Sequence, residues 1–153
     1  MNYPVIKLRK GKEESLERFH PWVFSGAVAS QPDDIEEGDL VSVVSHDGRT
    51  IGVGHYQIGS ITVRILAWGE SAIDEDFYSC RLREAYNVRK ALKLATPINN
   101  AYRLVHGEGD FLPGLVVDIY GDTAVVQAHS PGMHFARDII ANALVNLPDA
   151  GIK

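Results

Sequence analysis

The chain has 153 residues, enough for one full-sized domain or two small ones. Apolar residues make up 45% of it and charged residues 23%, a composition that favours a folded globular protein over a disordered one. The single cysteine excludes an internal disulfide framework, and no run approaches the roughly 18 apolar residues of a membrane span. We therefore expect a cytoplasmic protein that makes no contact with a membrane.

The first 70 residues are predicted to form a small β-barrel. A polar segment at 10–18 favours a turn or a short helix, and 31–39 favours an acidic surface loop. Asp47 and Gly48 form the dipeptide that a tight hairpin turn prefers. Short strands separated by turns are typical of a closed barrel with one or two short helices. The strands are predicted at 5–9, 40–45, 51–56 and 60–68.

A second domain, 71–153, is predicted to be an α/β segment. Residues 74–95 contain no Pro or Gly and carry acidic residues first and basic residues last, the charge order that stabilises a helix. Ser130 and Pro131 are typical first residues of a second helix. The unit looks incomplete, so we expect a piece of a longer protein, α+β in fold class. Strands are predicted at 102–106, 115–120 and 123–130, and the second helix has an apolar stripe of Ala136, Ile139, Ile140, Ala143, Leu144 and Leu147.

The densest positive cluster of the chain lies in and just after its first strand. It consists of Lys7, Arg9, Lys10 and Lys12, four positive charges within six positions, and such local density is what neutralising phosphates requires. Because the net charge of the chain is -5, any nucleic acid must be held by a local patch of this kind. Arg64 is a weaker candidate for the same role. The alternative is a solvated strand edge whose lysines prevent aggregation.

An aromatic cluster, His20, Trp22 and Phe24, follows the basic segment. The three rings could supply a platform on which unpaired bases stack, and His20 and Trp22 are the candidate RNA contacts. The alternative, which the residues alone favour, is that the cluster belongs to the core of the barrel. Alternation along a strand would place Trp22 and Phe24 on one face and Val23 on the other.

The segment from Arg103 to Gly114 combines ionisable side chains with three glycines, and such loops often carry function. Its candidate site residues are Arg103, Glu108 and Asp110. The alternative for the two carboxylates is a turn in which they cap backbone amides. Asp118 follows in an apolar strand, and we favour its pairing with Arg103 over a catalytic role.

Catalytic and cofactor sites are weakly indicated. A hydrolase using His106, Glu108 and Asp110 would need metal ligands from elsewhere, because only one His accompanies the two carboxylates. Cys80 lies within the helix predicted at 74–95 and has no neighbouring His. Its side chain is expected to pack against other residues rather than to act as a nucleophile. The glycines do not match the spacing of a dinucleotide or S-adenosylmethionine cradle. We predict no catalytic residue, cofactor or metal ion in these residues.

Two motifs carry a resemblance to a known family. They are the residues from His20 to Gly26, HPWVFSG, and those from Arg103 to Tyr120, RLVHGEGDFLPGLVVDIY. In the order and spacing of these motifs the chain resembles the bacterial class I, S-adenosylmethionine-dependent ribosomal RNA large-subunit methyltransferases, which methylate cytosine C5 in 23S rRNA.

The resemblance implies an N-terminal PUA domain, a central α/β domain and a C-terminal Rossmann-like domain that holds S-adenosylmethionine and the catalytic cysteine. This chain would contain the first two domains, 1–70 and 71–153, and lack the third. It would be the RNA-binding, substrate-positioning part of the enzyme, inactive alone, with 23S rRNA as its partner. Phosphate contacts would come from the basic cluster, and Arg103, Glu108 and Asp110 would line a cleft facing the missing catalytic domain.

Two further interpretations stay open at this point. The chain could be a stand-alone PUA-type adaptor that binds RNA and recruits other proteins. A homodimer is equally compatible with the sequence, because no spacing in it encodes the oligomeric state.

Overall fold

The computed structural model of the chain describes residues 3–153. It contains two compact units. The first comprises the residues up to Ile73 together with 130–132, and the second comprises 74–129 and 133–153. Within residues 3–153, no helix is long and apolar enough to cross a membrane.

The first unit is built on one six-stranded sheet. The strands are β1 Val5–Leu8, β2 Trp22–Phe24, β3 Val28–Ser30, β4 Leu40–Val44, β5 Thr50–Tyr56 and β6 Ile61–Trp68. Neighbouring strands run antiparallel except β1 and β4, which are parallel, and the order across the sheet is β2-β6-β5-β4-β1-β3. A short helix, α1, spans Glu14–Glu17, and a 3₁₀ turn spans Ser25–Ala27.

The connection between β2 and β3 forces the sheet to curl. These strands lie at the two outer edges of the sheet, yet only the three residues Ser25–Ala27 join them. The step from Phe24 to Val28 is at most about 14 Å even in a fully extended chain. The first and last strands must therefore approach each other, which gives a half-barrel. The predicted fold class is confirmed in this form.

The interior of the half-barrel is apolar because side chains alternate across each strand. Strand β1 buries Ile6 and Leu8 and leaves Lys7 half-buried on the other face. Leu16 of α1 is buried in the same cluster, and its carbonyl oxygen accepts a hydrogen bond from Nε1 of Trp68 at 2.8 Å. The helix is thereby fixed to the sheet at both its side chain and its backbone.

Strand β2 corrects one expectation. Its core residue is Val23, which is 2% exposed, whereas Trp22 is only half-buried and Phe24 is 47% exposed. The favoured interpretation of the aromatic cluster as core is therefore wrong. Alternation does place Trp22 and Phe24 on one face, but the curl of the sheet encloses the face that carries Val23.

The second unit pairs a three-stranded antiparallel sheet with helices. Its elements are α2 Glu75–Ala91, β7 Ala101–His106, β8 Leu115–Tyr120, β9 Thr123–Ala128 and α4 Arg137–Val145. Helix α3, Pro131–Phe135, has residues in both units. The strand order is β7-β8-β9, and helix α2 packs against β7 and α4. A 3₁₀ turn, Gly107–Asp110, connects β7 and β8.

The helices differ from prediction at particular residues. The side chain of Asp74 caps α2 by accepting a hydrogen bond from the amide of Phe77 at 3.0 Å, and the helix ends before Lys93, whose φ is +58°. The second predicted helix is divided at Ala136 into α3 and α4, and Ile139 of its apolar stripe is exposed. Cys80 is also exposed, so the expectation that it packs inside the protein is wrong.

Candidate nucleic-acid interface

The basic cluster, Lys7, Arg9, Lys10 and Lys12, begins on the outer face of β1 and continues into the turn that follows. Lys7 is half-buried, and the other three residues are exposed. The Nε atom of Arg9 donates to the carbonyl oxygen of Val28 at 3.0 Å, which anchors its guanidinium over β3. In residues 3–153, none of the ion pairs includes a member of the cluster. These four charges are therefore available to an anionic partner.

Three aromatic rings lie together outside the half-barrel beside β2. The ring centroids of His20 and Trp22 are 5.7 Å apart, those of Trp22 and Phe24 are 6.2 Å apart, and those of His20 and Phe24 are 6.1 Å apart. Two of these contacts are edge-to-face, with interplanar angles of 87° and 85°. The amide of Trp22 donates to Nδ1 of His20 at 3.2 Å, which orients the imidazole.

A surface groove of about 420 Å³ runs between α1 and β2. Its larger apolar lining residues are Leu16, Trp22, Val23 and Phe24. Lys12 is the charged residue in the described lining, which Ser15, Gly26 and Ala27 complete. The structure therefore brings one member of the basic cluster to two of the three aromatic residues. Lys7, Arg9 and Lys10 do not line this groove.

Arg64 lies on β6 directly opposite Trp22 in the β2–β6 ladder, so the two side chains project from the same face of the sheet. Its Nη1 atom donates to Oε1 of Gln57. A positive charge thus stands next to the aromatic group on the side away from the barrel core.

Asp110, one of the candidate cleft residues, is held inside the loop of the second unit. Nη2 of Arg89 donates to Oδ2 of Asp110 at 2.8 Å, and Nη1 donates to Oδ1 at 2.5 Å. The amide of His106 also donates to Oδ2, at 2.6 Å. The side chains of Arg89 and Asp110 are 12% and 8% exposed, so this is a buried ion pair. Asp110 therefore stabilises the turn, as the capping alternative predicts.

Arg103 and Asp118 form the ion pair that the sequence predicts. They stand opposite each other on β7 and β8, and Nε of Arg103 donates to Oδ1 of Asp118 at 2.8 Å while Nη2 donates to Oδ2 at 3.1 Å. The hydrogen bonds from Arg103 hold the pKa of Asp118 below its ordinary value of 3.8. Arg103 itself is 45% exposed rather than buried.

Glu108 is exposed at the tip of the same loop, and Nδ1 of His106 lies 3.4 Å from Nη1 of Arg103. Among the described residues, no group of three or more His, Cys, Asp or Glu side chains is placed to hold a metal ion. Both carboxylate oxygens of Asp110 are bonded to Arg89. The geometry of His106, Glu108 and Asp110 therefore does not favour the hydrolase interpretation.

Ser15 and Gly26 are not candidate contacts on the sequence alone. Phe24 belongs to the predicted stacking platform, and its two-residue spacing from Trp22 indicates that both side chains share a face. Ser15 and Gly26 come to the groove only because α1 and the turn after β2 pack beside each other, which no local pattern records.

Residues 6–68 match the PUA-like domain family. Across the whole chain, "Ribosomal RNA large subunit methyltransferase I" of Klebsiella pneumoniae is 38% identical over 154 residues, a match to 98% of this chain and 38% of the relative. The enzymes of the same name from Shewanella amazonensis and Escherichia coli are 39% and 38% identical over 150 residues, and the matches cover 96% of this chain and 38% of each relative. The chain thus spans somewhat over a third of the length of these relatives.

Two solved structures share the fold. A Streptococcus mutans protein assigned as a SAM-dependent methyltransferase has a TM-score of 0.79 and 17% identity over 94% of this chain and 37% of its own. A methyltransferase solved in complex with SAH has a TM-score of 0.78 and 18% identity over 96% of this chain and 37% of its own. At these identities the likeness concerns the fold. The chain therefore carries a PUA-like domain at residues 6–68 and is homologous to the N-terminal part of ribosomal RNA large subunit methyltransferase I.

Proposed function

We propose that the chain is the RNA-binding, substrate-positioning part of an S-adenosylmethionine-dependent methyltransferase that modifies cytosine C5 in 23S rRNA. The observation that carries this proposal is the basic cluster of the PUA-like domain, four cations without an acidic partner in residues 3–153. Its relatives are named for the ribosomal RNA of the large subunit. We also propose that the protein is cytoplasmic and that this RNA is its substrate.

The charge distribution supports local rather than global attraction of RNA. The chain carries a net charge of -5, so its overall field repels a polyanion. Binding must then come from counterions released by a few well-placed cations. Lys10 and Lys12 extend the cluster beyond β1, and Lys12 lines the same groove as Trp22 and Phe24.

The described residues do not fit S-adenosylmethionine. Cofactor cradles of the Rossmann type lie where a parallel strand turns through glycines into a long helix. The sheet of the second unit is antiparallel, and Gly107 and Gly109 lie in a turn that leads into strand β8. Gly52 and Gly54 lie inside strand β5. Cofactor binding and methyl transfer are therefore assigned to polypeptide outside these 153 residues, and the chain is proposed to be inactive alone.

The loop after β7 is our candidate for the surface that faces the catalytic domain. Arg103 and Asp110 are occupied by ion pairs with Asp118 and Arg89, so they hold the shape of the loop. Glu108 is exposed, so a neighbouring domain could contact it.

A charge-reversal experiment tests the proposal. Lys7, Arg9, Lys10 and Lys12 are changed together to Glu, and binding to a fluorescent 23S rRNA fragment is followed by anisotropy at two salt concentrations. We expect at least a tenfold loss of affinity, and a log-log salt slope that is shallower by about 0.7 to 0.9 for each phosphate that the variant no longer neutralises.

The matched control reverses four exposed cations of the second unit, Arg83, Lys90, Lys93 and Arg137. Both variants have the same net charge, so the control should keep most of its affinity and its salt slope. Equal losses of affinity in the two variants, or no loss in either, would contradict the assignment of RNA binding to the basic cluster.

A further inference from the structure

A cavity of about 520 Å³ lies on the outer face of the sheet of the first unit. Val41 and Val43 of β4 are buried in the core, so alternation along the strand turns Ser42 and Val44 outwards. The neighbouring strands add outward residues that pair with these two in the ladders. The floor of this outer cavity consists of Val5, Ser42, Val44, Thr50 and Val53.

The wall of the outer cavity is the segment 70–72, which follows β6, together with Tyr3. Hydrogen bonds fix this segment on both sides. The amide of Gly69 donates to the carbonyl oxygen of Ile51 at 2.9 Å, and the amide of Ile73 donates to Oη of Tyr3 at 3.1 Å. A ligand therefore meets a cavity that is already formed, which lowers the entropic cost of binding.

The charge of the outer cavity favours a cation. Glu70 is an exposed lining residue, and within residues 3–153 it forms none of the ion pairs. The described lining contains no Lys, Arg or His. The hydroxyl groups of Ser42 and Thr50 on the floor are acceptors for N–H groups. The cavity thus lacks the cations that a phosphate requires and offers the acceptors that an ammonium group requires.

The floor suits an aliphatic chain that carries the cation. Its three valines stand on the neighbouring strands β1, β4 and β5, which span about 10 Å at the usual strand spacing. Lysine lays its methylene stem along apolar surface of this kind and keeps its ammonium group at a polar one. The three N–H groups of the ammonium rotate freely and can reach separate acceptors, whereas the fork of an arginine is planar and fixed.

Lys7 distinguishes a lysine side chain from a free polyamine. It pairs with Val44 in the β1–β4 ladder, so its side chain stands on the same outer face, on the β1 side of the cavity. Glu70 is on the other side, since it follows Gly69, which is bonded to β5. A second ammonium group near Lys7 would be repelled, whereas the carbonyl oxygens of a peptide would be attracted.

We propose that the outer cavity takes a lysine side chain of a partner protein. Its ammonium group lies at Glu70, its methylene groups lie over the valines of the floor, and its backbone carbonyl groups face Lys7. The proposal goes beyond RNA binding, because it gives the PUA-like domain a protein partner at a separate site.

Three small probes test the proposal in NMR titrations of the ¹⁵N-labelled chain without RNA. The first is N-acetyl-lysine methylamide, the second is the same molecule acetylated at its side-chain nitrogen, and the third is the diamine cadaverine. The backbone amide shifts of the lining residues report binding at the cavity. The variants are Glu70→Gln and Lys7→Gln, and Glu14→Gln is the matched control, since Glu14 is an exposed residue of α1 outside the lining.

We expect the wild type to bind the lysine probe with a Kd on the order of 1 mM, as suits a ligand of this size. Acetylation of the probe and Glu70→Gln should each weaken binding about fivefold, the effect of losing one exposed ion pair. Lys7→Gln should tighten the binding of cadaverine but not that of the lysine probe. Glu14→Gln should match the wild type with all three probes.

Equal binding of the charged and acetylated probes, or an unchanged affinity in Glu70→Gln, would overturn the cation site. Tighter binding of cadaverine than of the lysine probe by the wild type would overturn the protein partner and assign the cavity to a free polyamine. Because the titrations contain no RNA, neither result bears on the proposed RNA-binding function, which the charge-reversal experiment tests separately.

Discussion

His55 on β5 is a buried histidine whose ring contacts a glycine from elsewhere in the first unit. It is 5% exposed, and a Cβ atom added to Gly132 would stand 2.1 Å from Cγ of the imidazole. Burial lowers the pKa of His55 from 6.5 to about 4, and the positive charge of Arg64 acts in the same direction. The imidazole is therefore neutral in the folded protein at neutral pH.

The burial of His55 predicts how stability depends on pH. As the pH decreases from 6.5 to about 4, the unfolded chain binds a proton at His55 that the folded chain excludes. The free energy of unfolding should therefore fall across this window, by about 3 kcal/mol in total, and stay flat above it. The measurement is the free energy of unfolding from urea titrations at a series of pH values. His55→Phe keeps an aromatic ring without a titrating group, so the wild-type curve must fall more steeply than that of the variant, and parallel curves would contradict the prediction.

At the scale of elements, the loop after β7 is fastened to helix α2 by a buried ion pair. Arg89 of α2 binds both carboxylate oxygens of Asp110 and donates through Nε to the carbonyl oxygen of Arg103 at 3.0 Å. One guanidinium thus fixes both the strand and the turn that follows it. Arrangements of this kind are costly to break, because the remaining charge stays buried without a partner.

Asp110→Ala should therefore destabilise the protein by about 3 to 5 kcal/mol, since it strands the buried guanidinium of Arg89. The measurement is the free energy of unfolding from urea titration. Arg137→Ala is the control, because Arg137 and Asp138 form an exposed pair 3.9 Å apart, and it should change stability by less than about 1 kcal/mol. A loss for Asp110→Ala no larger than that of the control would show that the buried pair contributes little.

At the scale of the whole molecule, an acidic chain carries a concentrated basic cluster. Fifteen Lys and Arg residues face 20 Asp and Glu residues, and four of the 15 lie between positions 7 and 12. Such an uneven distribution allows binding to RNA at a chosen surface while the remaining surface repels it. The proposed division of labour, with RNA held here and methyl transfer performed elsewhere, needs only this local attraction.

The proposed separation of RNA binding from methyl transfer predicts how the isolated chain behaves towards S-adenosylmethionine. We expect the isolated chain to bind the rRNA fragment but to give no heat on titration with S-adenosylmethionine and to transfer no radiolabelled methyl group. The reason is that its second sheet is antiparallel and lacks a strand-to-helix glycine turn in the described residues. Incorporation of label into the RNA by this chain alone would contradict the prediction.

Much of the fold was readable from local patterns. The alternation at 60–68 and the Asp47-Gly48 turn predicted strands that the structure contains as β6 and the β4–β5 hairpin. The short strand β3 was not predicted, because three residues are too few to show a period of two by themselves. For the candidate site, the basic cluster could be proposed in advance because it is a dense run of charges along the chain. The Arg103–Asp118 pair could be proposed because its two charges lie close to each other in the sequence.

The sequence by itself determined which elements form and which side chains share a face, because both follow from spacing along the chain. Only the tertiary structure decided which face is enclosed. The curl of the sheet buried Val23 and left Trp22 and Phe24 outside, and the packing of α2 on the loop joined Arg89 to Asp110 across 21 positions. Burial and long-range pairing depend on where elements meet in space, and no local spacing encodes that meeting.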